Sequence, residues 1–359
     1  MLSDGTLSSR ISVNRGIIII LCCTVSLLTV FSNFTGSPDN HVRCPPLLVS
    51  LDANGAFVCN ASGYYDALTQ RPLRLLIFYD KNDVMNLPLC DVKPATLIGR
   101  RNVSLEAHSE EDIAADNPKV LRGGRYRPSG CVPRQRLRVA VIVAYRDRQE
   151  HLQILLNNLH PFLQRQQLDY TVFLVEQAGN ATFNRGKLFN VGFVEANKLR
   201  EYPCFVFHDV DLLPENDANA YSCPQYPTLL SSAMEKNKYR PIYADYFGGV
   251  VSFSSRHFRQ VNGFPNLYWG WGGEDDDLSL RVRTRLGKLL QEPADTGQYT
   301  MLKHEKDAGN PVNPQRFKLL NAAAKRFETD GLSSLSYSVV KLERKPLYTW
   351  ILVDIGQPG

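Results

Sequence analysis

Leu137-Arg-Val-Ala-Val-Ile-Val-Ala-Tyr145 is an almost unbroken apolar run. It lacks the alternation of a strand with one wet face, so both faces must be covered. That is the mark of a buried strand in a parallel sheet. Beyond Tyr145 the pattern becomes helical. Leu152, Leu155, Leu156, Leu159 and Phe162 recur at helical spacing over residues 149–165. Tyr170-Thr-Val-Phe-Leu-Val175 reads as a second strand, residues 185–199 as a second helix, and Cys204-Phe-Val-Phe-His208 as a third strand. Strand–helix–strand–helix–strand predicts an α/β fold with an open, mostly parallel sheet flanked by helices, Rossmann-like in type. Such sheets bind their ligands beyond the carboxyl ends of the strands.

The third strand runs into His208-Asp209-Val210-Asp211. Alternate residues of an extended chain share a face, so both carboxylates point one way. Beside a diphosphate they make a site for a hard divalent cation. The plain alternative is a polar loop, since Asp is common in turns. A second stretch, Trp269-Gly-Trp-Gly-Gly-Glu-Asp-Asp-Asp277, places two of the three tryptophans among glycines ahead of four acids. Glycine fills no space, so this is a poor core. A loop that covers a substrate, with Trp as a flat face for a sugar ring, fits better. The acids alone would also suit a helix start, where negative charge meets the dipole.

These segments resemble the animal β-1,4-galactosyltransferase family, in order from about residue 88 to the C-terminus. The resemblance is carried by Phe183-Asn-Arg-Gly-Lys-Leu-Phe-Asn-Val-Gly-Phe193, Phe207-His-Asp-Val-Asp-Leu-Leu-Pro-Glu-Asn-Asp217, Tyr246-Phe-Gly-Gly-Val250 and the Trp269–Asp277 string. Met301-Leu-Lys-His304 and Asn313-Pro-Gln-Arg-Phe317 add to it. It implies the GT-A glycosyltransferase fold. It also implies an inverting transfer of galactose from UDP-α-galactose to the 4-hydroxyl of a terminal β-linked N-acetylglucosamine. Alternatives within the family are a UDP-GalNAc donor or a glucosylceramide acceptor. A membrane-anchored carbohydrate-binding protein without turnover is the non-enzymatic rival, and it would lack metal or base residues.

Residue by residue, the resemblance implies Mn²⁺ held by Asp211, Met301 and His304, and Asp275 as general base with Glu274 orienting the acceptor. Donor contacts map to Arg146, Arg148, Phe183, Arg185, Asp209, Val210, Lys236, Tyr246 and Trp271. Acceptor contacts map to Trp271, Gly273, Glu274, Asp275, Asp276, Arg316, Phe317 and Leu320. A bulky Tyr246 goes with galactose over N-acetylgalactosamine. The family's two bridges match Cys90–Cys131 and Cys204–Cys223. Ala144-Tyr145-Arg-Asp-Arg148 and Gly186 depart from the family's Pro-Phe/His-Arg-Asn-Arg and Ala, both expected near the nucleotide.

Residues 16–38 carry no charge. Their apolar core is long enough for a thin bilayer. Arg10 and Arg15 precede it, which favours a cytosolic N-terminus and a lumenal remainder; a cleaved signal peptide is the rival. The expected layout is a tail at 1–15, a transmembrane signal-anchor at 16–34, a stem at 35–85 and a catalytic domain at 86–359. In the resembled family that layout is a single-pass Golgi membrane protein of type II. Of eight cysteines, Cys22 and Cys23 lie in the apolar run. The remaining even number fits disulfides in an oxidising compartment, with Cys44 and Cys59 as candidates to close the stem. Sequons at Asn33, Asn60, Asn102 and Asn180 agree with a lumenal body. A net charge of +5 over 359 residues, with no dense basic block, argues against nucleic acid. A mean hydropathy of −0.24 excludes a polytopic membrane protein. A homodimer stays open at this point.

Overall fold

The computed structural model describes residues 87–134, 138–303 and 309–358, together with four short strands nearer the N-terminus. The chain divides into two units, Met1–Leu87 and Pro88–Gly359. Within the first, Ser12–Val13 pairs with Ile17–Ile18 and Val49–Leu51 with Phe57–Cys59, both antiparallel. The rest of the expected span at 16–34, the Cys44–Cys59 pairing and the sequons at Asn33 and Asn60 lie outside the described residues. Among the described residues no helix is long and apolar enough to cross a membrane.

The second unit opens with helix α1 (Glu110–Asp116), started by Ser109, whose side chain accepts from the Asp112 N–H. A short strand β1 (Arg125–Tyr126) comes next. Then come β2 (Arg138–Tyr145), α2 (Gln149–Arg165), β3 (Asp169–Gln177), α3 (Arg185–Leu199) and β4 (Cys204–Asp209). The expected strands and helices fall where the hydrophobic pattern placed them. The reason is visible in β2. Val139, Val141, Val143 and Tyr145 face one core together with the α2 side chains Leu152, Leu155, Leu156 and Leu159. Ala140, Ile142 and Ala144 face the other core, with Leu188, Phe189, Val191 and Phe193 of α3. Each fully buried Val or Ile contributes about 1.5–3 kcal/mol, and no polar residue could serve on either face.

The chain continues through β5 (Leu212–Pro214), β6 (Thr228–Leu229), β7 (Ala233–Met234), β8 (Val250–Ser254), α4 (Ser255–Gln260) and α5 (Glu274–Leu286). It closes with β9 (Leu290–Gln291), β10 (Gln298–Met301), α6 (Arg316–Asn321), β11 (Ser338–Arg344) and β12 (Thr349–Asp354). The main sheet runs β9-β6-β8-β4-β2-β3-β12-β11, with β1 beside β3. Only β4, β2, β3 and β12 form a continuous parallel block. β8 and β11 join antiparallel. The expectation of a mostly parallel sheet is therefore corrected to a mixed sheet with a parallel centre. The added strands are short or half-exposed and carry no long apolar run. A small sheet β7-β10-β5 stands beside the carboxyl end of β4.

Both family bridges form, Cys90–Cys131 and Cys204–Cys223. The second ties the start of β4 to the loop before β6. Two buried histidines brace the core. His160 takes the Tyr170 hydroxyl on Nδ1 at 2.8 Å and reaches the Leu347 carbonyl through Nε2 at 2.9 Å. Burial lowers its pKa to about 4. In the unfolded chain a histidine titrates near 6.5, so the unfolded state binds more protons between those values. Stability is therefore full above about pH 6.5 and is lost as pH falls toward 4. Replacing His160→Gln, which keeps a donor and an acceptor, should shrink the pH 7 to pH 5 drop in unfolding free energy by about 2 kcal/mol. Denaturant melts of the two proteins at both pH values measure this; an unchanged drop refutes it.

Candidate active site

The site is assembled where β4 ends and α5 begins. Asn184 caps α3 by accepting from the Lys187 N–H, which sets Arg185 on the first turn. Its guanidinium donates from Nε to Asp209 Oδ1 at 2.6 Å and from Nη1 to Glu274 Oε1 at 3.4 Å. Nη2 reaches the Gly249 carbonyl at 3.3 Å. The cation lies over the Phe189 ring at 4.7 Å. Burial costs this guanidinium, yet the facing carboxylates of Asp209 and Glu274 win and its pKa is raised. One side chain thus joins the two acidic motifs read in the sequence.

The acids respond in the opposite sense. Burial raises Asp209; Arg185 opposes the shift and Asp211 adds to it. Burial and the neighbouring Asp275 raise Glu274, whose Oε2 is buried without a hydrogen-bond partner among the described residues. Asp275 is likewise raised by burial, against the pull of Arg185. Carboxyls held above their ordinary range beside a cleft suit proton transfer.

Helix α5 starts at Gly273, whose φ of 97° is left-handed. A Cβ there would lie 2.7 Å from the Tyr268 ring, so only glycine fits. Four acids then occupy the first turn, where the dipole favours them. They divide by task. Asp277 is fully buried and takes Arg281 Nε at 2.6 Å, the Tyr268 hydroxyl at 3.0 Å and Arg326 Nη2 at 3.3 Å. Arg281 also donates to the Asp330 carbonyl at 2.6 Å. This ionic knot fixes the helix start, while Glu274 and Asp275 turn toward Arg185. Asp276 accepts from the Tyr243 hydroxyl at 2.6 Å. Tyr243 packs edge-on against Tyr246 at 5.4 Å. Tyr246 and Asp275 close around Gly248. A Cβ on that glycine would strike Asp275 Oδ2 and meet the Tyr246 oxygen at 2.8 Å.

Asp211 and Met301 also come together. Met301 on β10 is the register partner of Leu212 on β5, and the Leu302 N–H donates to the Asp211 carbonyl at 2.8 Å. Val210 is half-buried against the core between the two aspartates. His304 lies outside the described residues. Among the described residues no cluster of three His, Cys, Asp or Glu ligands is preformed.

Of the residues expected to meet the donor, Arg146 stacks on Phe183 at 5.2 Å and donates to the carbonyls of Ala181 and Gly309 at 2.6 and 2.7 Å. Arg148 sits at the start of α2, after Asp147 in a left-handed conformation of φ 50°. The departure at Gly186 has a packing reason: a Cβ there would come within 2.8 Å of the Pro265 carbonyl. Lys236 is exposed on a 3-10 turn, Glu235–Asn237, and among the described residues no hydrogen bond or ion pair joins it to the cluster. Of the residues expected to meet the acceptor, Trp271 is 60% exposed, and its backbone is pinned to residues 311–313 by Trp271 N–H to Pro311 O and Asn313 N–H to Trp271 O. Arg316 on α6 abuts Gly272 and Gly273 and lies over Phe317 at 4.5 Å. Phe317 is 65% exposed, and Leu320 is half-buried on the same helix. Of the sequons, Asn102 and Asn180 are exposed.

Sequence reasoning missed Tyr243, Gly248 and the Asp277–Arg281 knot. The spacing Tyr243-x-x-Tyr246 was the only local signal for the first. Nothing local separates Asp277 from its three neighbours, because its role depends on Arg281 and Arg326 arriving from other turns.

An open sheet with paired acids at its carboxyl edge, and opposite it an acid-headed helix that follows a tryptophan-glycine loop, matches the class of nucleotide-sugar glycosyltransferases of GT-A type. Two family models match, one described as the N-terminal region of glycosyl transferase group 7, over residues 90–224, and one as the N-terminal domain of galactosyltransferase, over residues 228–305. Human beta-1,4-galactosyltransferase 4 is 52% identical over 244 residues, 68% of this chain and 70% of that protein. Human beta-1,4-galactosyltransferase 3 is 49% identical over 272 residues, 75% and 69% of the two chains. Among solved structures, the catalytic domain of Drosophila beta1,4galactosyltransferase 7 in complex with xylobiose superposes with a TM-score of 0.52. It is 28% identical, over 61% of this chain and 94% of that one. A mutant of the same fly enzyme, in complex with manganese, UDP-Gal and xylobiose, also gives 0.52, at 26% identity over the same shares. The chain belongs to the β-1,4-galactosyltransferase family.

The geometry at Gly248 is directly testable. Gly248→Ala should push Asp275 and Tyr246 apart and lower kcat about 10²-fold, the cost of misplacing a reacting group by about 1 Å. The melting temperature should hardly move, since both displaced atoms are side-chain ends. Transferase assays beside thermal melts decide; wild-type kcat in the variant refutes the assignment.

Proposed function

We propose that the enzyme moves galactose from UDP-α-galactose to the 4-hydroxyl of a terminal β-linked N-acetylglucosamine, with inversion at C1. The observation that carries this reading is the Arg185 bridge, which sets the Asp209-Val210-Asp211 strand end against Glu274 and Asp275. The acceptor hydroxyl must lose a proton as it attacks C1 from the face opposite UDP. Asp275 takes it, since its carboxyl is raised by burial and stands with Tyr246 at the Gly248 gap. Glu274, held by Arg185, orients the acceptor; Asp276, held by Tyr243, receives another of its hydroxyls. Arg146, stacked on Phe183, and Arg148 line the donor side at the end of β2. Trp271 offers its exposed ring to the sugars, and Arg316, Phe317 and Leu320 form the wall for the N-acetyl group. Lys236, exposed on its turn, stays a candidate for the donor's charge.

Asp211, Met301 and His304 would hold the divalent cation. A carboxylate, a thioether and an imidazole form a mixed set that suits Mn²⁺ better than the all-oxygen preference of Mg²⁺. Once bound, the cation neutralises charge growing on the leaving diphosphate. Support for Mn²⁺ and UDP-galactose comes from the fly relative, which is in complex with both.

We place the catalytic domain at 86–359 in the Golgi lumen, hung from a signal-anchor at 16–34 by a stem at 35–85, with a cytosolic tail at 1–15. Two disulfides and exposed sequons support an oxidising compartment.

Asp275→Asn should bind UDP-galactose with unchanged Kd while kcat falls about 10²–10⁴-fold, the usual worth of general-base catalysis. Calorimetry with donor and Mn²⁺, alongside product assays, separates the two; full turnover would remove Asp275 as the base. Tyr246→Leu opens space beside Asp275 and should raise UDP-GalNAc use relative to UDP-galactose. An unmoved donor ratio shows that Tyr246 does not gate the donor.

A further inference from the structure

A cavity of about 330 Å³ lies far from the active site and is lined by Arg122, Arg125, Thr171, Arg200, Tyr202 and Arg344. Register places it. Arg125 stands opposite Thr171, and Thr171 opposite Ala140 near the start of β2. Asp209 stands opposite Ala144 near the end of that strand. Four residues of strand put about 13 Å between the two levels. The cavity is thus at the amino end of the sheet and the catalytic acids at the carboxyl end.

Four arginines meet there with one nearby carboxylate. Asp169 is already taken by Arg200, whose two Nη atoms donate to it at 2.8 and 2.6 Å. Arg138 approaches the same carboxylate at 3.8 Å. Asp169 and the carboxyl end of α3 therefore account for Arg200. They do not account for the others. Arg122 donates through Nε to the Arg344 carbonyl at 2.9 Å, which draws a third guanidinium-bearing chain to the rim. Arg125 Nε is buried with no hydrogen-bond partner among the described residues. Burial first, then repulsion from Arg200, lowers the pKa of Arg125 despite Asp169. A half-buried guanidinium left without an acceptor costs free energy until an anion arrives. Thr171 Oγ1 accepts from the Tyr202 hydroxyl at 2.8 Å, which leaves its own proton to donate.

We infer that this cavity binds a tetrahedral oxyanion of the sulfate or phosphate class, with Arg125 as its central donor. Arginine forks match such oxygens two at a time. The cavity is larger than a bare anion, so the group can arrive free or as an ester on a sugar.

Binding is read by calorimetry on the full chain, at ionic strength matched with chloride, using sodium sulfate, sodium phosphate and a monosaccharide sulfate ester in turn. The wild type should bind at least one of them saturably. Arg125→Gln should weaken that binding at least tenfold, and Arg125→Lys should restore part of it. Galactosyl transfer measured without added oxyanion should be the same in all three proteins. The tightest of the three probes names the source of the anion. Arg344→Gln serves as the second variant where Arg125→Gln fails to fold. Anion binding in the donor cleft is common to every variant and cancels in the comparison. Equal binding by wild type and both glutamine variants, or no saturable binding beyond the chloride control, overturns the site.

Discussion

The buried guanidinium of Arg185 is the interaction on which the site depends. It stands 24 residues from Asp209 and 89 from Glu274, and it touches both. Without it, two raised carboxylates and the carbonyl of Gly249 would face one another with no cation between them, each repelling the next. With it, the end of β4 and the start of α5 are held together by one cation. The bridge is itself over-determined: Asn184 fixes the start of α3, and the Phe189 ring lies beneath the cation at 4.7 Å. A cation so held cannot follow a mobile substrate, which is the condition for preorganised catalysis.

The second constraint is the way α5 divides its acids. Four in a row look interchangeable, and the dipole welcomes any of them. Burial decides among them. Asp277 points inward, meets Arg281 and Arg326, and pins the helix by an ionic knot that is costly to break. Its neighbours are then left to face Arg185 and Tyr243. Gly273 makes this possible, because any side chain there would strike Tyr268 and rotate the whole first turn.

How much of this was legible in the sequence depended on the range of the forces involved. β2, α2, β3, α3 and β4 were readable because burial on two faces imposes a local, periodic demand on composition. The mixed character of the sheet was not. β6, β9 and β8 carry few residues each, and their pairing is set by neighbours far along the chain. Asp211 and Met301 became neighbours only through the pairing of β5 with β10, which no spacing rule announces. Chemistry alone would not have chosen a thioether for a hard cation; resemblance supplied it, and the register makes it reasonable.

The glycines show why resemblance and physics must be argued together. The Gly-Gly pair after Phe247 could have been read as mere flexibility. In the structure Gly248 is a missing side chain: the volume a methyl group would fill is bounded by Asp275 on one side and Tyr246 on the other. Asp275 and Tyr246 can share one space only if the residue between them contributes no side-chain atom. The two side chains are therefore coupled through a single position, and a change in Tyr246 also changes the wall against which Asp275 is held.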